Sequence, residues 1–178
     1  MRVVAGAYKG HPLAAPKRAS TRPTQDRVRE ALFSILGSVR DARVLDLFAG
    51  SGALGIEALS RGARECTFVD SDWAATRAIR ENLRRLGVGT GHVARSDALV
   101  FLRTAARRSQ QWNLVFCDPP YRLAHRLADV LDELLPRVLA EKARVVCESA
   151  TRQPLKLDLP LVRERAYGDT LIAVYSFR

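Results

Sequence analysis

From residue 42 onward, short apolar runs alternate with stretches whose apolar residues recur at helical spacing. Strands are read at Val44–Phe48, Cys66–Asp70, Gly91–Ala94, Leu114–Asp118 and Arg144–Glu148. Helices fall between them at Ala53–Arg61, Trp73–Leu86, Ala98–Arg107 and Leu123–Leu139, the last with a stripe of Leu123, Leu127, Val130, Leu131, Leu134 and Val138. A helix between two strands lets the second strand lie parallel to the first, so this pattern calls for a parallel sheet covered on both faces. Leu159–Tyr167 and Thr170–Phe177 break the rhythm, because only Gly168-Asp169 separates them. They read as a terminal hairpin, which places at least one antiparallel strand in the sheet.

The first forty residues have another character. Gly6, Gly10, Pro12, Pro16 and Pro23 punctuate them, and Val3-Val4-Ala5 and His11-Pro12-Leu13 read as short strands turning around Lys9-Gly10. Thr24 is placed as a helix N-cap with Asp26 in the first turn, and Val28, Leu32, Ile35, Leu36 and Val39 follow at helical spacing. The chain therefore divides into a hairpin-plus-helix extension over residues 1–40 and a main domain over 41–178.

Charge is unevenly spread. The 178 residues carry a formal net charge of +10, and residues 1–40 hold eight basic side chains against two acids. Such a segment favours a polyanion, since each phosphate that it neutralises releases condensed counterions. Lys9, Lys17, Arg18, Arg22 and Arg27 are the candidate contacts, against the plain alternative of a solvated arginine-rich surface. Cys66, Cys117 and Cys147 lie in apolar stretches without metal-ligand spacing, and His11, His92 and His125 have none either, so no metal is assigned. The cysteines read as buried thiols in a reducing compartment. With no signal-peptide core after Met1-Arg2-Val3-Val4 and no apolar run of membrane-spanning length, a cytoplasmic protein without a membrane partner is expected.

The first long strand delivers Asp46-Leu47-Phe48-Ala49-Gly50-Ser51-Gly52-Ala53-Leu54-Gly55. Its glycines permit a tight turn and close approach of a ligand, and Gly50–Gly55 alone also fits a dinucleotide fingerprint. Asp70, twenty residues after Gly50, is placed to hold a ribose in either an NAD or an S-adenosylmethionine site. Asp46 separates the two, because a carboxylate sits poorly beside a pyrophosphate and well beside a cationic amino-acid ligand. Asp97 stands at the end of the third strand, towards the adenine; the bland reading makes it, like Asp46, a capping or loop acid. Three acids at the carboxyl ends of successive strands nevertheless occupy the edge where open α/β sheets bind ligands.

Asp118-Pro119-Pro120-Tyr121 ends the fourth strand. The exocyclic amine of a nucleobase is a poor nucleophile because its lone pair is delocalised into the ring. Acceptors at Asp118 and the Pro119 carbonyl can take its two hydrogens, and Tyr121 can stack on the base, a contact worth about 1–3 kcal/mol. Holding the amine in line with a sulfonium methyl then supplies most of the catalysis.

These ordered motifs resemble class I S-adenosylmethionine-dependent methyltransferases, and Asp118–Tyr121 is similar to their amino-methylating members. Arg2-Val3-Val4-Ala5-Gly6 with Lys9-Gly10, Arg22-Pro23-Thr24-x-Asp26-Arg27-Val28-Arg29-Glu30, the glycine motif and Asp118–Tyr121 together resemble the RsmD family of 16S ribosomal RNA guanine-N2 methyltransferases. The resemblance implies a Rossmann-like fold: a seven-stranded, mostly parallel sheet with an antiparallel C-terminal hairpin strand. It also implies a monomer that methylates one guanine of 16S rRNA in the 30S subunit, and releases S-adenosylhomocysteine. Asp118, Pro119 and Tyr121 carry over as contacts to the target base. Asp46, Phe48, Gly50, Gly52, Gly55, Asp70, Ser71, Asp97 and Ala98 carry over as the cofactor shell, and Arg22-Pro23-Thr24 as a border of the site's mouth. An N-adenine DNA methyltransferase shares Asp118–Tyr121 but needs a target-recognition region for which there is little spare length. An NAD-dependent oxidoreductase leaves Asp118–Tyr121 unexplained, and a non-catalytic ribosome-binding protein would share only the basic front segment and the fold.

Overall fold

The structure, a computed structural model, describes residues 1–15, 26–120 and 124–178. Its elements run α1 (Asp26–Leu36), β1 (Arg43–Leu47), α2 (Ala53–Ser60), β2 (Glu65–Asp70), α3 (Trp73–Leu86), β3 (Gly91–Arg95), α4 (Ala98–Arg107), β4 (Trp112–Cys117), α5 (Ala124–Leu134), a 3-10 turn (Leu135–Arg137), β5 (Leu139–Ala150), β6 (Leu161–Tyr167) and β7 (Thr170–Ser176). The seven strands form one sheet in the order β3-β2-β1-β4-β5-β7-β6. The five strands from β3 to β5 pair in parallel, while β7 runs antiparallel to both β5 and β6. The expected seven-stranded, mostly parallel sheet with its C-terminal hairpin is therefore present.

Alternation along the strands sends side chains to two cores. Val44, Phe68, Phe116, Val146 and Ile172 pack with Phe33, Ile56 and Ile79 on the side of α1, α2 and α3. Leu45, Leu47, Val69, Val115, Val145 and Tyr175 pack with Leu102, Leu131 and Leu134 on the side of α4 and α5. Each fully buried aliphatic or aromatic side chain contributes about 1.5–3 kcal/mol. The three cysteines are buried free thiols within these two layers.

Order reverses at β1, which pairs with β2 on one side and β4 on the other. Helices leave to opposite faces there, opening a crevice above the carboxyl ends of the strands.

Several boundaries differ from expectation for identifiable reasons. Strand β1 stops at Leu47 because Phe48 adopts a left-handed backbone, φ 61°. Asp118 lies just beyond the end of β4. Helix α1 stops at Leu36, where Gly37 has φ 65°, so buried Val39 packs from beyond the helix. The expected Thr24 cap lies outside the described residues. The last long helix ends at Leu134 and tightens into a 3-10 turn containing Pro136, whose ring and missing N–H oppose a continued α-helix. Strand β5 begins early, at Leu139, with its register against β4 shifting between Trp112 and Leu114 and with Lys142 at φ 59°.

The N-terminal hairpin takes a minimal form, a single antiparallel bridge between Arg2 and Pro12. Val3 exchanges backbone bonds with His11 and Gly10 at 3.0 and 2.9 Å, but Val4 and Ala5 donate instead to the Glu57 carboxylate at 2.8 and 3.0 Å. The backbone donors that would extend a ladder are thus taken by α2.

Candidate functional site

The crevice at the β1/β4 switch point is built from the loops that follow β1, β2, β3 and β4. Asp46 points from β1 into the first turn of α2, where Oδ2 accepts the Gly55 N–H at 3.0 Å. The residue is 2% exposed. Burial pushes its pKa up to about 8, opposed by the Gly55 hydrogen bond and aided by the charge of Asp70. Gly55 has no room for a side chain: a Cβ there would lie 2.3 Å from a ring carbon of Phe68.

The loop between β1 and α2 carries three consecutive constraints. Phe48 is half-buried with positive φ, a conformation costly for a bulky residue and most often kept at functional sites. Ala49 donates to the Val69 carbonyl at 3.0 Å, and Gly52 donates to Ala49 at 2.7 Å as it enters α2 with φ 77°. Gly50 has φ 55°, and among the described residues no atom beyond its chain neighbours lies within 4 Å of the position of a Cβ, so the loop has open space over it on that side.

Asp70 ends β2 and organises this loop. One carboxylate oxygen accepts Gly50 N–H and the other Asp72 N–H, both at 2.8 Å. A carboxylate offers about four lone-pair sites, so acceptors remain for a ribose hydroxyl pair. Ser71 is exposed beside it. Asp97 caps α4, accepting Leu99 N–H at 2.9 Å and Val100 N–H at 3.1 Å through one oxygen, with Ala98 buried beneath. The capping reading of Asp97 is thus realised, and its other oxygen leaves an acceptor at the exposed rim.

Asp118 emerges half-buried from β4, next to β1 across the crevice, with Pro119 buried and Pro120 exposed after it. Burial, and then the carboxylates of Glu148 and Asp46 and the Cys117 thiol, push the Asp118 carboxyl well above the usual carboxylate range. Tyr121 lies outside the described residues, as do Lys17, Arg18 and the Arg22-Pro23-Thr24 stretch. Among the basic candidates that are described, Lys9 and Arg27 line one cleft of about 250 Å³ with Arg2, Gly10, Asp26 and Glu30.

Two residues near the site escaped the sequence reading. Glu148, 3% exposed on β5, is one position beyond the Cys117–Cys147 pair and so stands beside Asp118. Its signal was an acid closing a buried strand, the same signal that marked Asp118. Asn82, 1% exposed on α3, accepts Ala14 N–H at 2.8 Å and donates to the carbonyls of Ala14 at 3.0 Å and Ser51 at 3.1 Å. It ties the N-terminal strap to the glycine loop.

The crevice therefore presents buried or capping acids around an open glycine turn. That set of acceptors suits a cation and hydroxyl groups and opposes a pyrophosphate, whose charge has the same sign. The residues present fit S-adenosylmethionine, which has an ammonium, a sulfonium and a ribose diol.

The chain is similar to known proteins along its whole length. The chain matches the family described as "Conserved hypothetical protein 95" over residues 1–176. It is 42% identical over 186 residues to YlbH of Bacillus subtilis, with all of both chains covered. It is 38% identical to ribosomal RNA small subunit methyltransferase D of Escherichia coli, covering 99% of this chain and 89% of that protein. The solved structure of TTHA0928 from Thermus thermophilus superposes with a TM-score of 0.85 at 34% identity, covering 99% of each chain. At this identity and coverage, the chain belongs to the RsmD family, the family of ribosomal RNA small subunit methyltransferase D.

Proposed function

We propose that this protein methylates the 2-amino group of a guanine in small-subunit (16S) ribosomal RNA, using S-adenosylmethionine. It acts as a cytoplasmic monomer on the assembled or assembling 30S subunit. One observation carries the reading: Asp118-Pro119 follows β4 directly beside the glycine loop that follows β1, so acceptors for an amine border the cofactor crevice. The E. coli relative's name supports ribosomal RNA as the substrate.

S-adenosylmethionine supplies an electrophilic methyl group at this crevice. The protein's own groups do the rest. Asp46 lies under the glycine loop and, in its ionised form, favours positive charge above it, while Asp70 and Asp97 accept from hydroxyl and amine donors at the rim. Asp118 and the Pro119 carbonyl accept the two hydrogens of the target amine, localising its lone pair and fixing its direction. Tyr121 stacks on the base. Once methylated, the amine is cationic and acidic, so an ionised Asp118 can take its proton without a stronger base. Residues 1–40 bring the basic side chains that hold the phosphates.

Labelled methyl transfer onto unmodified 30S particles, free 16S rRNA and DNA, followed by nucleoside analysis, tests the reading. Label in N2-methylguanosine of the ribosomal RNA is expected. Label in N6-methyladenosine of DNA, or none above background, overturns it.

A further inference from the structure

Far from the crevice, three arginines converge on a second concavity. Arg103 and Arg107 occupy one face of α4, one turn apart, and Arg137 closes the 3-10 turn before β5. With Ala106, Glu133 and Leu134 they line a cleft of about 490 Å³. All three are exposed, and none has an ion-pair partner among the described residues. They contrast with Arg61, Arg84 and Arg85, each paired to a carboxylate within 3 Å.

The cleft lies at the opposite end of the strands from the acids. Trp112 opens β4, its N–H bonds the Val138 carbonyl at 2.9 Å, and its ring lies 5.9 Å from Phe101 of α4. Both walls of the cleft are thus anchored at the start of β4, whereas Asp118 follows its end. Asp118 is six positions after Trp112, about 20 Å at the rise of a strand. A ligand engaging both places is macromolecular. Guanidinium groups without partners around a concavity match phosphate oxygens, which accept their forked N–H donors.

We propose that the Arg103–Arg107–Arg137 cleft binds the phosphodiester backbone of the RNA substrate, as a second anchoring point at the far edge of the sheet. This inference rests on the functional reading above. The substrate then spans the protein from the amine acceptor at Asp118 to the rear of α4, and its basic contacts are not confined to the first forty residues. A purely local role would have Arg107, in the last turn of α4, complementing the helix dipole without a ligand.

The test uses the full chain carrying Arg103→Ala, Arg107→Ala and Arg137→Ala together, and a second version with lysine at all three positions. Binding to unmethylated 30S particles and to protein-free 16S rRNA is measured from 50 to 200 mM salt. The alanine version is expected to flatten the slope of log affinity against log salt by about 2–3 with both probes, and the lysine version to restore it. Affinity for S-adenosylmethionine and kcat at saturating RNA stay at the wild-type level. An unchanged slope overturns the proposal and leaves the arginines as solvated helix-end charges. A change seen only with particles also overturns it, because the partner would then be a ribosomal protein. The wild type is assayed for methyl transfer in parallel: absence of label refutes the functional reading, whereas label with an unchanged slope refutes only the cleft.

Discussion

Asp46 accepts the Gly55 N–H at 3.0 Å from beneath the first turn of α2, so one buried carboxyl joins β1 to the helix that carries the glycine loop. The contact gives an N-terminal amide of α2 a partner that the helix itself cannot supply. It also places a carboxyl where water is excluded, and its pKa rises to about 8. The native protein therefore holds a proton that the unfolded chain releases near pH 4. The stabilisation is complete below that value and is lost as pH climbs through about 8. Asp46→Asn keeps an acceptor for Gly55 and removes the titration. It is expected to raise Tm by at least about 3 °C at pH 8.5 while changing it little near pH 4. It should also weaken S-adenosylmethionine, read by calorimetry at pH 8.5. A Tm difference independent of pH would refute the assignment.

Asp118 combines a raised pKa with a place at the mouth of the crevice. Asp118→Ala is expected to lower kcat by at least about 100-fold, the loss typical of a group that acts on the reacting centre. Cofactor affinity should stay within about threefold, because Asp118 follows β4 and not the glycine loop. In the wild type, activity should fall as pH drops through a value above the ordinary carboxylate range, since the amine needs the ionised acceptor. Near-wild-type turnover by the alanine variant would remove Asp118 from the mechanism.

Gly55 is held by packing and not by its backbone angles. A Cβ would lie 2.3 Å from Phe68 Cε1 and 2.6 Å from Cys66 Sγ, both side chains of β2. Gly55→Ala must push α2 away from the sheet or twist Phe68 from its rotamer, at a cost of about 1–3 kcal/mol. Thermal unfolding should show Tm lower by several degrees, and pairing the change with Phe68→Leu should recover part of the loss.

The sequence was most legible where one residue type carries one physical demand. Apolar runs such as Leu114–Cys117 and the tight Gly168-Asp169 turn led directly to strands and hairpin, and the acids closing Asp70 and Asp118 landed at the crevice. Tertiary hydrogen bonding was less legible. Val3–Ala5 has strand-like composition, yet two of its amides serve Glu57, which is 0% exposed on α2 and also pairs with Arg61 at 2.7 Å. The available clue was a lone acid in a helix that is otherwise apolar or small on every side, a placement that requires a partner. Glu148 was likewise read as the last residue of a strand, because nothing in sequence spacing reveals that parallel pairing sets it beside Asp118. The early start of β5 was hidden by Glu141-Lys142, charges that sit in a register shift.

Glu57 makes the fastening of the front segment testable. Its two oxygens accept Val4 and Ala5 amides and pair with Arg61 and Arg29. Glu57→Ala leaves buried donors without their acceptor, a change that costs about 3–5 kcal/mol when a buried charge loses its partner. Hydrogen exchange at Val4 and Ala5 should accelerate more than exchange in β4. Uniform acceleration across both would mean global destabilisation and not release of the strap.

Asn82 makes the corresponding connection between the strap and the cofactor loop. Its amide satisfies both the N–H and the carbonyl of Ala14, as a neighbouring strand would, and its third hydrogen bond goes to Ser51 between the two loop glycines. Beyond Ala14 the chain continues into Lys17, Arg18 and Arg22, the basic residues expected to meet RNA. Asn82→Ala leaves the Ala14 amide and two carbonyls unpaired in a half-buried setting, at about 1–3 kcal/mol for each polar group left unsatisfied. The strap and the loop then lose a shared restraint. Affinity for S-adenosylmethionine and affinity for unmethylated 30S particles should fall together, while kcat with both saturating stays within about threefold, because Asp118 and Pro119 are untouched. Asn82→Asp keeps the acceptor for Ala14 N–H but loses both donated bonds, so it should fall between the alanine variant and the wild type. If only thermal stability changed, with both affinities intact, Asn82 would be a packing residue and the two regions would bind their ligands independently.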